Sequence, residues 1–267
     1  MSERDVLTDD GVWLRTRIDG PPEAPALLLC NSLGTDLTLW DDQVAAWAAS
    51  RRVVRFDQRG HGASEAPPAP YEVSRLGRDA LTVLDAHEIE VADVCGISLG
   101  GLVALWLAAA APERVRRLVL ADTATRIGTE EAWQTRAEMV RHDGMDAVVD
   151  MVLARFFSRT FLQTASPVVE RVARILRQTA VEGYIGSCEA LASADLRELA
   201  ARVRATTLVI VGGVDEATAP AEARELSQLL PDARLVEIEA VGHLANLEAP
   251  DIFAEHVADF VSGGEIP

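Results

Sequence analysis

Lysine is absent from this chain of 267 residues, so arginine supplies all 25 of its Lys and Arg positions. Without a lysine amine, the protein has no residue for Schiff-base catalysis and none for the lysine position of a Walker A phosphate loop. Acidic residues number 42, and the resulting net charge of -17 at pH 7 is spread along the sequence. Such a charge repels polyanions. We therefore expect no nucleic-acid partner.

Cysteine and long apolar segments are also scarce. The cysteines lie far apart, and two of them fall within predicted strands, so we expect reduced core residues rather than disulfide partners or metal ligands. They are Cys30, Cys95 and Cys188. The longest nearly unbroken apolar run, residues 99–111, is too short to span a bilayer, and the charged N-terminus lacks the apolar core of a signal peptide. We expect a cytoplasmic protein that binds neither a membrane nor a metal.

Short apolar runs alternate with longer helical patterns, which is typical of an α/β fold on a mostly parallel sheet flanked by helices. The predicted strands cover residues 12–17, 26–30, 53–56, 91–95, 115–121, 207–212 and 235–238, the first of them antiparallel. The predicted helices of this part cover residues 39–49, 74–87, 99–111, 221–230 and 252–261. Ser74 is expected to cap the second of these helices.

The middle of the chain has a different pattern. From residue 122 to about residue 194 the strand signals give way to amphipathic helical ones, with breaks expected at Pro167 and near Gly183. We interpret this segment as a helical cap inserted into a single core. The predicted division gives residues 1–122 and 195–267 to the core and residues 123–194 to the cap.

The sequence Gly96-Ile97-Ser98-Leu99-Gly100 is a G-x-S-x-G motif between an apolar strand and an apolar helix. A sharp strand-to-helix turn holds the serine hydroxyl out of the local hydrogen bonding, where a base can reach it. Gly96 and Gly100 have no Cβ, so strand and helix can pass close together. The motif predicts that Ser98 is a nucleophile for acyl transfer.

A serine nucleophile needs a base, and the base needs an acid that fixes its tautomer. His243 follows the last predicted strand, and Asp215 follows the strand that ends at residue 212. Ser98, Asp215, His243 is one of the known chain orders of such a triad. Asp57 is instead expected to organise its own loop with Arg59. The other histidines are expected to be structural or at the surface, and these are His61, His87, His142 and His256.

Acyl transfer also needs two donors for the developing oxyanion, and backbone N–H groups are suited to this because they need no reorganisation. The N–H of Leu99, at the start of the helix after Ser98, is the first candidate. The second should come from the loop after the strand at residues 26–30, where Leu33 is the best-placed residue.

Two loops carry a resemblance to known proteins. Residues 30–36 are Cys-Asn-Ser-Leu-Gly-Thr-Asp, followed by Trp40, and residues 56–64 are Phe-Asp-Gln-Arg-Gly-His-Gly-Ala-Ser. With the predicted triad, they make the chain resemble the α/β-hydrolase superfamily and, more narrowly, the 3-oxoadipate enol-lactonases. Further matches lie at residues 182–184 and 243–248. The resemblance implies an α/β-hydrolase fold, the triad and oxyanion donors named above, and hydrolysis of a small enol-lactone without a cofactor.

An enol-lactone of this kind carries a free carboxylate. A protein with a net charge of -17 repels that group, so a local arginine is needed to bind it. The cap offers several candidates near its first helices, and these are Arg126, Arg136, Arg141, Arg155 and Arg159. Trp133 lies about one helical turn from Arg136, so we predict that these two residues line the substrate pocket. The alternative is that the arginines pair with surface carboxylates and that Trp133 only anchors the cap.

Three other functions remain open at the level of the sequence. A carboxylesterase or a cofactor-free haloperoxidase-like perhydrolase would use the same triad. A ligand receptor on a retained hydrolase scaffold would need no catalysis, although an intact triad argues against it. The expected partner is a small-molecule substrate, and a homo-oligomer is left open.

Overall fold

An eight-stranded sheet forms the centre of the protein in the computed structural model, which describes residues 2–164 and 167–263. In chain order the strands are β1 (Ser2–Leu7), β2 (Trp13–Asp19), β3 (Ala26–Cys30), β4 (Arg52–Phe56), β5 (Ala92–Ile97), β6 (Val115–Ala121), β7 (Thr206–Gly212) and β8 (Ala233–Ile238). Their order across the sheet is β1-β2-β4-β3-β5-β6-β7-β8. The pairs β1–β2 and β2–β4 are antiparallel, and the other pairs are parallel. The predicted α/β class and mostly parallel sheet are confirmed.

The central strands are buried along their whole length. Every residue of β3 and β5 is buried, since parallel strands at the centre of such a sheet are covered on both faces. Because parallel strands point the same way, their carboxyl ends share one edge of the sheet. The segments that follow β3, β5, β6 and β7 therefore meet there.

Twelve α-helices occur within the described residues. They are α1 (Asp41–Trp47), α2 (Val73–Ala86), α3 (Leu99–Ala110), α4 (Glu130–Asp143), α5 (Asp146–Phe156), α6 (Arg159–Gln163), α7 (Pro167–Gln178), α8 (Val181–Ser193), α9 (Arg197–Ala200), α10 (Pro220–Leu229), α11 (Ala245–Glu248) and α12 (Pro250–Ser262). Short 3-10 turns lie at Leu37–Trp40 and Pro112–Arg114. The predicted helix at residues 39–49 thus begins with a 3-10 turn, which Asp36 caps by accepting a hydrogen bond from the N–H of Thr38 at 2.9 Å.

One of the two predictions about helix ends was wrong. Ser74 does not cap α2, because Glu72 occupies the N-cap position and the Ser74 hydroxyl donates to its carboxylate at 2.9 Å. The break expected near Gly183 is confirmed, because α7 ends at Gln178 and α8 begins at Val181, and Gly183 itself lies inside α8. The reason for a glycine here is contact: a Cβ on Gly183 would lie 2.1 Å from the carbonyl oxygen of Gly60.

Helices α4 to α8 follow β6, as expected for a cap, and α4 packs against α8. The chain returns to the sheet at β7 after the short helix α9. The boundaries 1–122, 123–194 and 195–267 stay a prediction. Over residues 2–164 and 167–263, no helix is both long and apolar enough to cross a membrane.

Candidate active site

Ser98 occupies a strained turn between β5 and α3. Its φ of 58° and ψ of -121° lie in a region that non-glycine residues rarely adopt, which costs free energy that the surroundings must offset. The Ser98 N–H donates to the Ala121 carbonyl at 3.0 Å, and the Thr123 hydroxyl donates to the Ser98 carbonyl at 2.8 Å. These bonds from the end of β6 hold the turn in place.

The two glycines of the motif have the steric role that the sequence predicts. A Cβ on Gly96 would lie 2.1 Å from the Gly100 carbonyl oxygen, and a Cβ on Gly100 would lie 2.1 Å from the Cys30 carbonyl oxygen. Real Cβ atoms do not approach backbone so closely. Any side chain at either position would push α3 away from β3 and β5.

Asp215 and His243 are hydrogen-bonded to each other. The distance from His243 Nδ1 to Asp215 Oδ2 is 2.8 Å, and both side chains are buried. The Thr218 hydroxyl donates to the same carboxylate oxygen at 2.8 Å, while the N–H groups of Ala217 and Thr218 donate to the other oxygen. Burial acts to raise the pKa of Asp215, but His243 and the Thr218 donors outweigh it and lower that pKa. Asp215 is therefore an ionised acceptor that orients the imidazole ring.

Ser98 and His243 face one small cavity of about 20 Å³ beneath the cap helices. Its walls also include Leu33 from the loop after β3 and Tyr184 from α8. The volume is that of a site without room for a ligand. Substrate entry therefore requires side chains of the wall to move.

The loop after β3 is held rigidly by buried polar side chains. The Asn31 amide donates to the Phe56 carbonyl at 2.8 Å and accepts from the Trp40 indole N–H at 2.8 Å. The Gln58 amide donates to the Asn31 carbonyl at 2.7 Å. Among described residues, the N–H groups of Leu33 and Leu99 bond to no acceptor, as an oxyanion hole requires.

His61 also helps to hold the loop after β3 in place. Its Nε2 accepts from the Gly34 N–H at 2.9 Å, so the proton is on Nδ1, which lies 3.1 Å from the Arg59 carbonyl. Burial lowers the pKa of His61 to about 4, so the ring is neutral near pH 7. The structural role expected for His61 is confirmed, next to the predicted oxyanion donor Leu33.

The expectation that Asp57 organises its own loop is confirmed, but Arg59 makes no contact with its carboxylate as the expectation implied. Asp57 does organise its loop, because its carboxylate accepts from the Leu37 N–H at 2.7 Å and the Ala63 N–H at 2.8 Å. Arg59 turns away and pairs instead with Asp79 at 2.6 Å and Asp10 at 2.9 Å. Asp57 is close to Arg59 in the sequence, which favoured a contact between them. In the fold, Asp79 of α2 and Asp10 of the β1–β2 turn are the carboxylates that reach the Arg59 guanidinium.

The predicted cap residues Trp133 and Arg136 both line the cavity with Ser98. The Arg136 guanidinium lies over the Trp133 ring, 4.6 Å from its centroid, and the indole N–H donates to the Ile127 carbonyl at 2.5 Å. Trp133 thus anchors the cap and also forms a wall of the cavity. The part of Trp133 in binding a substrate stays a prediction.

Of the other cap arginines, only Arg155 reaches this cavity within the described residues. Its one hydrogen bond to a described residue is a long one of 3.4 Å to the Ala217 carbonyl, and burial together with the charge of Arg136 lowers its pKa. Neither Arg136 nor Arg155 forms an ion pair with any described residue. Arg141 pairs with Glu138 on the outer face of α4, Arg159 lies in a separate outer cleft, and Arg126 is exposed.

Tyr184 is a site residue that sequence reasoning did not single out. The side chain is fully buried on the cavity wall, and its hydroxyl has no hydrogen-bond partner within the described chain. Burial raises the pKa of this phenol, so it stays protonated and able to donate. The Arg136 guanidinium lies close enough to oppose this rise in pKa, and the hydroxyl hydrogen remains available to an acceptor that enters the cavity. The sequence signal for Tyr184 was its place in residues 182–184, Glu-Gly-Tyr, which match the enol-lactonases.

The cap also contacts the loop of His243. The Leu244 N–H donates to the Phe156 carbonyl at 2.9 Å, at the end of α5. Glu248 accepts from the Ser158 N–H at 2.6 Å and from its hydroxyl at 2.7 Å. The predicted base is therefore held by the cap as well as by the core.

The remaining cysteines and histidines fit their expected places. All three cysteines are free and buried, and the core position predicted for Cys30, Cys95 and Cys188 is confirmed. His87 is buried against Thr16, and His142 is exposed beside Asp143. In the described parts of the chain, no group of three or more His, Cys, Asp or Glu side chains is placed to hold a metal ion.

Comparison with known proteins agrees with this geometry. Residues 25–250 match the family model of the alpha/beta hydrolase fold. The chain therefore belongs to the alpha/beta hydrolase fold family.

Within this family the similar proteins include enol-lactonases. The chain is 39% identical to 3-oxoadipate enol-lactonase 2 of Acinetobacter baylyi, over 94% of this chain and 93% of the relative. It is 38% identical to 3-oxoadipate enol-lactonase 1 of the same organism, over 96% of each. The crystal structure of the enol-lactonase from Burkholderia xenovorans LB400 superimposes with a TM-score of 0.94 at 41% identity, covering 97% of this chain and all of the other.

Proposed function

We propose that this protein is a serine hydrolase that opens a small anionic enol-lactone, converting 3-oxoadipate enol-lactone to 3-oxoadipate. The observation that carries the proposal is the pair Arg136 and Arg155, which lie without carboxylate partners in the cavity of Ser98 and His243. In a chain with a net charge of -17, two unpaired guanidinium groups at one cavity indicate an anionic ligand. The full-length similarity to enol-lactonases supports the same substrate class.

In the first half of the proposed reaction, the Ser98 hydroxyl attacks the lactone carbonyl carbon and His243 takes its proton. The carbonyl oxygen becomes an oxyanion, which the N–H groups of Leu33 and Leu99 stabilise. The intermediate collapses by breaking the ring C–O bond. The enolate oxygen takes the proton from His243, and the enol rearranges to the ketone.

In the second half, His243 removes a proton from water, and the resulting hydroxide attacks the ester carbonyl on Ser98. Collapse of the second intermediate breaks the bond to Ser98, and His243 returns the proton to the serine oxygen. One water is consumed for each lactone, and Asp215 stays ionised throughout. The cycle uses no redox step and needs no cofactor.

The substrate carboxylate is proposed to bind between Arg136 and Arg155, with the Tyr184 hydroxyl donating a third hydrogen bond. A charge-assisted bond to a guanidinium is stronger than a neutral one, and Tyr184 would gain the partner that it lacks. Trp133 would present its ring to the flat lactone. We also infer that the protein acts in the cytoplasm on a small molecule, without a nucleic-acid or membrane partner, and the oligomeric state is left open.

The test is steady-state hydrolysis of 3-oxoadipate enol-lactone beside a neutral lactone of similar size. We expect kcat/KM for the anionic lactone to exceed that of the neutral one by at least about tenfold, the value of one charge-assisted hydrogen bond. Equal values for both lactones would favour a general carboxylesterase. Peroxide-dependent activity exceeding both would favour a perhydrolase.

A receptor on a hydrolase scaffold is distinguished by a second measurement. A chromogenic ester mixed with the enzyme should give a burst of phenolate equal to the active sites, followed by steady turnover. Binding of the lactone with neither a burst nor turnover would replace the proposed enzyme with a receptor.

A further inference from the structure

Asp122 is a fully buried carboxyl group that follows β6 directly. Its Oδ1 accepts from the Gly212 N–H at 2.8 Å, and its Oδ2 accepts from the Ala245 N–H at 3.2 Å. Gly212 ends β7, three residues before Asp215, and Ala245 begins α11, two residues after His243. One side chain therefore joins the loop of the acid to the loop of the base.

The backbone conformation and the burial of Asp122 both lower the stability of the fold. Its φ is 43°, in the left-handed region that non-glycine residues seldom adopt. No arginine or histidine side chain of the described residues bonds to its carboxyl group. Burial raises the pKa of Asp122 well above its usual range, and the charge of Asp215 adds to this. A buried, strained acid without a cation destabilises a protein, so a role in stability alone does not account for it.

The other hydrogen bonds between the two loops within the described chain lie at or before His243. The Gly213 N–H donates to the Ile238 carbonyl at 2.8 Å, and side-chain oxygens of Asp215 and Thr218 lie 2.8 and 3.3 Å from His243 Nδ1. The Val214 N–H donates to the Val241 carbonyl at 3.0 Å, and this bond lies before His243 in its loop. Asp122 supplies the connection on the other side of His243, at Ala245. Its own main chain is fixed, because the Asp122 N–H donates to the Ile210 carbonyl at 2.8 Å.

We infer that Asp122 is a positioning residue, whose two carboxyl oxygens fix the acid loop and the base loop relative to each other and so keep His243 against Asp215. The inference rests on the proposed roles of Ser98, Asp215 and His243. Asp122 itself is not a catalytic residue, because it acts through Gly212 and Ala245 rather than on the substrate. Small displacements of a base reduce catalysis strongly while leaving substrate binding intact.

The main variant is Asp122→Asn, which keeps the size of the side chain. Its amide nitrogen replaces an acceptor, so one of the two backbone N–H groups loses its bond. The matched control is Asp93→Asn. Asp93 is equally buried but lies near the start of β5, at the opposite edge of the sheet, where it pairs with Arg51 and Arg116.

Two readouts are used, and neither depends on the lactone. For Asp122→Asn we expect kcat with a chromogenic ester to fall by at least about tenfold, with KM within about twofold of wild type. Labelling of Ser98 by a fluorophosphonate, which reports activation by the base, should slow by a similar factor. Asp93→Asn should lower Tm, while kcat and the labelling rate stay within about twofold of wild type.

A second variant tests the same contact from its other end. Ala245→Pro removes the N–H that Asp122 Oδ2 accepts, and proline is tolerated at the first position of a helix. We expect the same loss of kcat and of labelling rate, which keeps the inference testable if Asp122→Asn does not fold.

Several results would overturn the inference. One is a folded Asp122→Asn with kcat and labelling rate near wild type, and another is an equal loss in Asp93→Asn, which would mean general destabilisation. If the wild type hydrolyses the ester but not the lactone, only the proposed substrate fails. If wild-type Ser98 is not labelled at all, the triad fails, and the inference fails with it.

Discussion

The ring of Phe156 stacks on the imidazole of His243, with 5.7 Å between centroids and 25° between planes. Phe156 ends α5 in the cap, whereas His243 lies in the core loop between β8 and α11. The Leu244 N–H donates to the Phe156 carbonyl, so the contact involves the main chain as well. The orientation of the proposed base is thus linked to the position of the cap.

We expect Phe156→Leu to lower kcat for the enol-lactone and for a neutral ester alike. Leucine keeps an apolar contact but loses the stacked ring, and such ring pairs contribute about 1 kcal/mol beyond burial, or roughly fivefold in rate. The measurement is kcat and KM with both substrates.

The control for this variant is Phe161→Leu. Phe161 stacks on Phe157 with 5.2 Å between centroids, close to the same part of the cap but without contact to His243. Its kcat should equal that of the wild type. A loss of the same size in both variants would assign the effect to cap packing rather than to the base.

Arg136→Ala should weaken binding of the anionic lactone only. Loss of a hydrogen bond to a charged group costs about 1.5 to 3 kcal/mol, so KM for the enol-lactone should rise by roughly tenfold to a hundredfold. A neutral chromogenic ester has no carboxylate for Arg136 to bind, and its KM should not change.

Arg141→Ala is the matched control, because Arg141 lies on the same helix but pairs with Glu138 at the surface. It should leave the KM of both substrates unchanged. If Arg136→Ala affects both substrates equally, or neither, the carboxylate binds elsewhere.

Asp57 should make stability fall as pH rises. Burial raises the pKa of Asp57 from 3.8 to about 6, although the N–H groups of Ala63 and Leu37 oppose this. The folded state therefore holds a proton that the unfolded state releases between these two values, and stability is lost as pH rises through that window. The difference corresponds to on the order of 3 kcal/mol. Asp57→Asn has no such proton, so its loss of stability relative to wild type should shrink between about pH 4 and pH 7.

The measurement is urea unfolding of both proteins across this range. Asp195→Asn serves as the control, because hydrogen bonding to Arg197 lowers the pKa of Asp195 to about 2. Its difference from wild type should stay constant above about pH 5. A constant difference for Asp57→Asn as well would mean that Asp57 is ionised throughout in the folded protein.

The fold was largely predictable because buried parallel strands have a strong local signal. β3 and β6 have the predicted bounds, because each apolar run ends where the strand ends and a polar residue follows, Asn31 after β3 and Asp122 after β6. β1 was missed because its sequence, Ser-Glu-Arg-Asp-Val-Leu, has no apolar run. It forms through pairing with β2, in which Leu7 lies opposite Trp13, and no local pattern reveals such a partner.

Some residues of the candidate site were also predictable from the sequence, and others were not. Ser98, Asp215 and His243 each follow a strand, so topology alone predicts that they meet at one edge of the sheet. Asp122 also follows a strand, but its role depends on two distant backbone N–H groups. Tyr184 reaches the cavity only because Gly183 lets α8 pack against Gly60. Contacts of this kind arise from three-dimensional packing and leave no mark on spacing or periodicity.

The most direct test of the account is whether Ser98 carries the opened lactone. Ring opening leaves no separate product, so the acyl-enzyme should have gained the mass of the whole lactone. Wild-type enzyme mixed with 3-oxoadipate enol-lactone and quenched in acid should show this mass on the peptide that contains Ser98. Ser98→Ala should show no adduct, and its kcat should fall by at least about a thousandfold. An adduct on another residue, or a Ser98→Ala variant that keeps a tenth of the wild-type kcat or more, about 1.4 kcal/mol or less in barrier, would contradict the account.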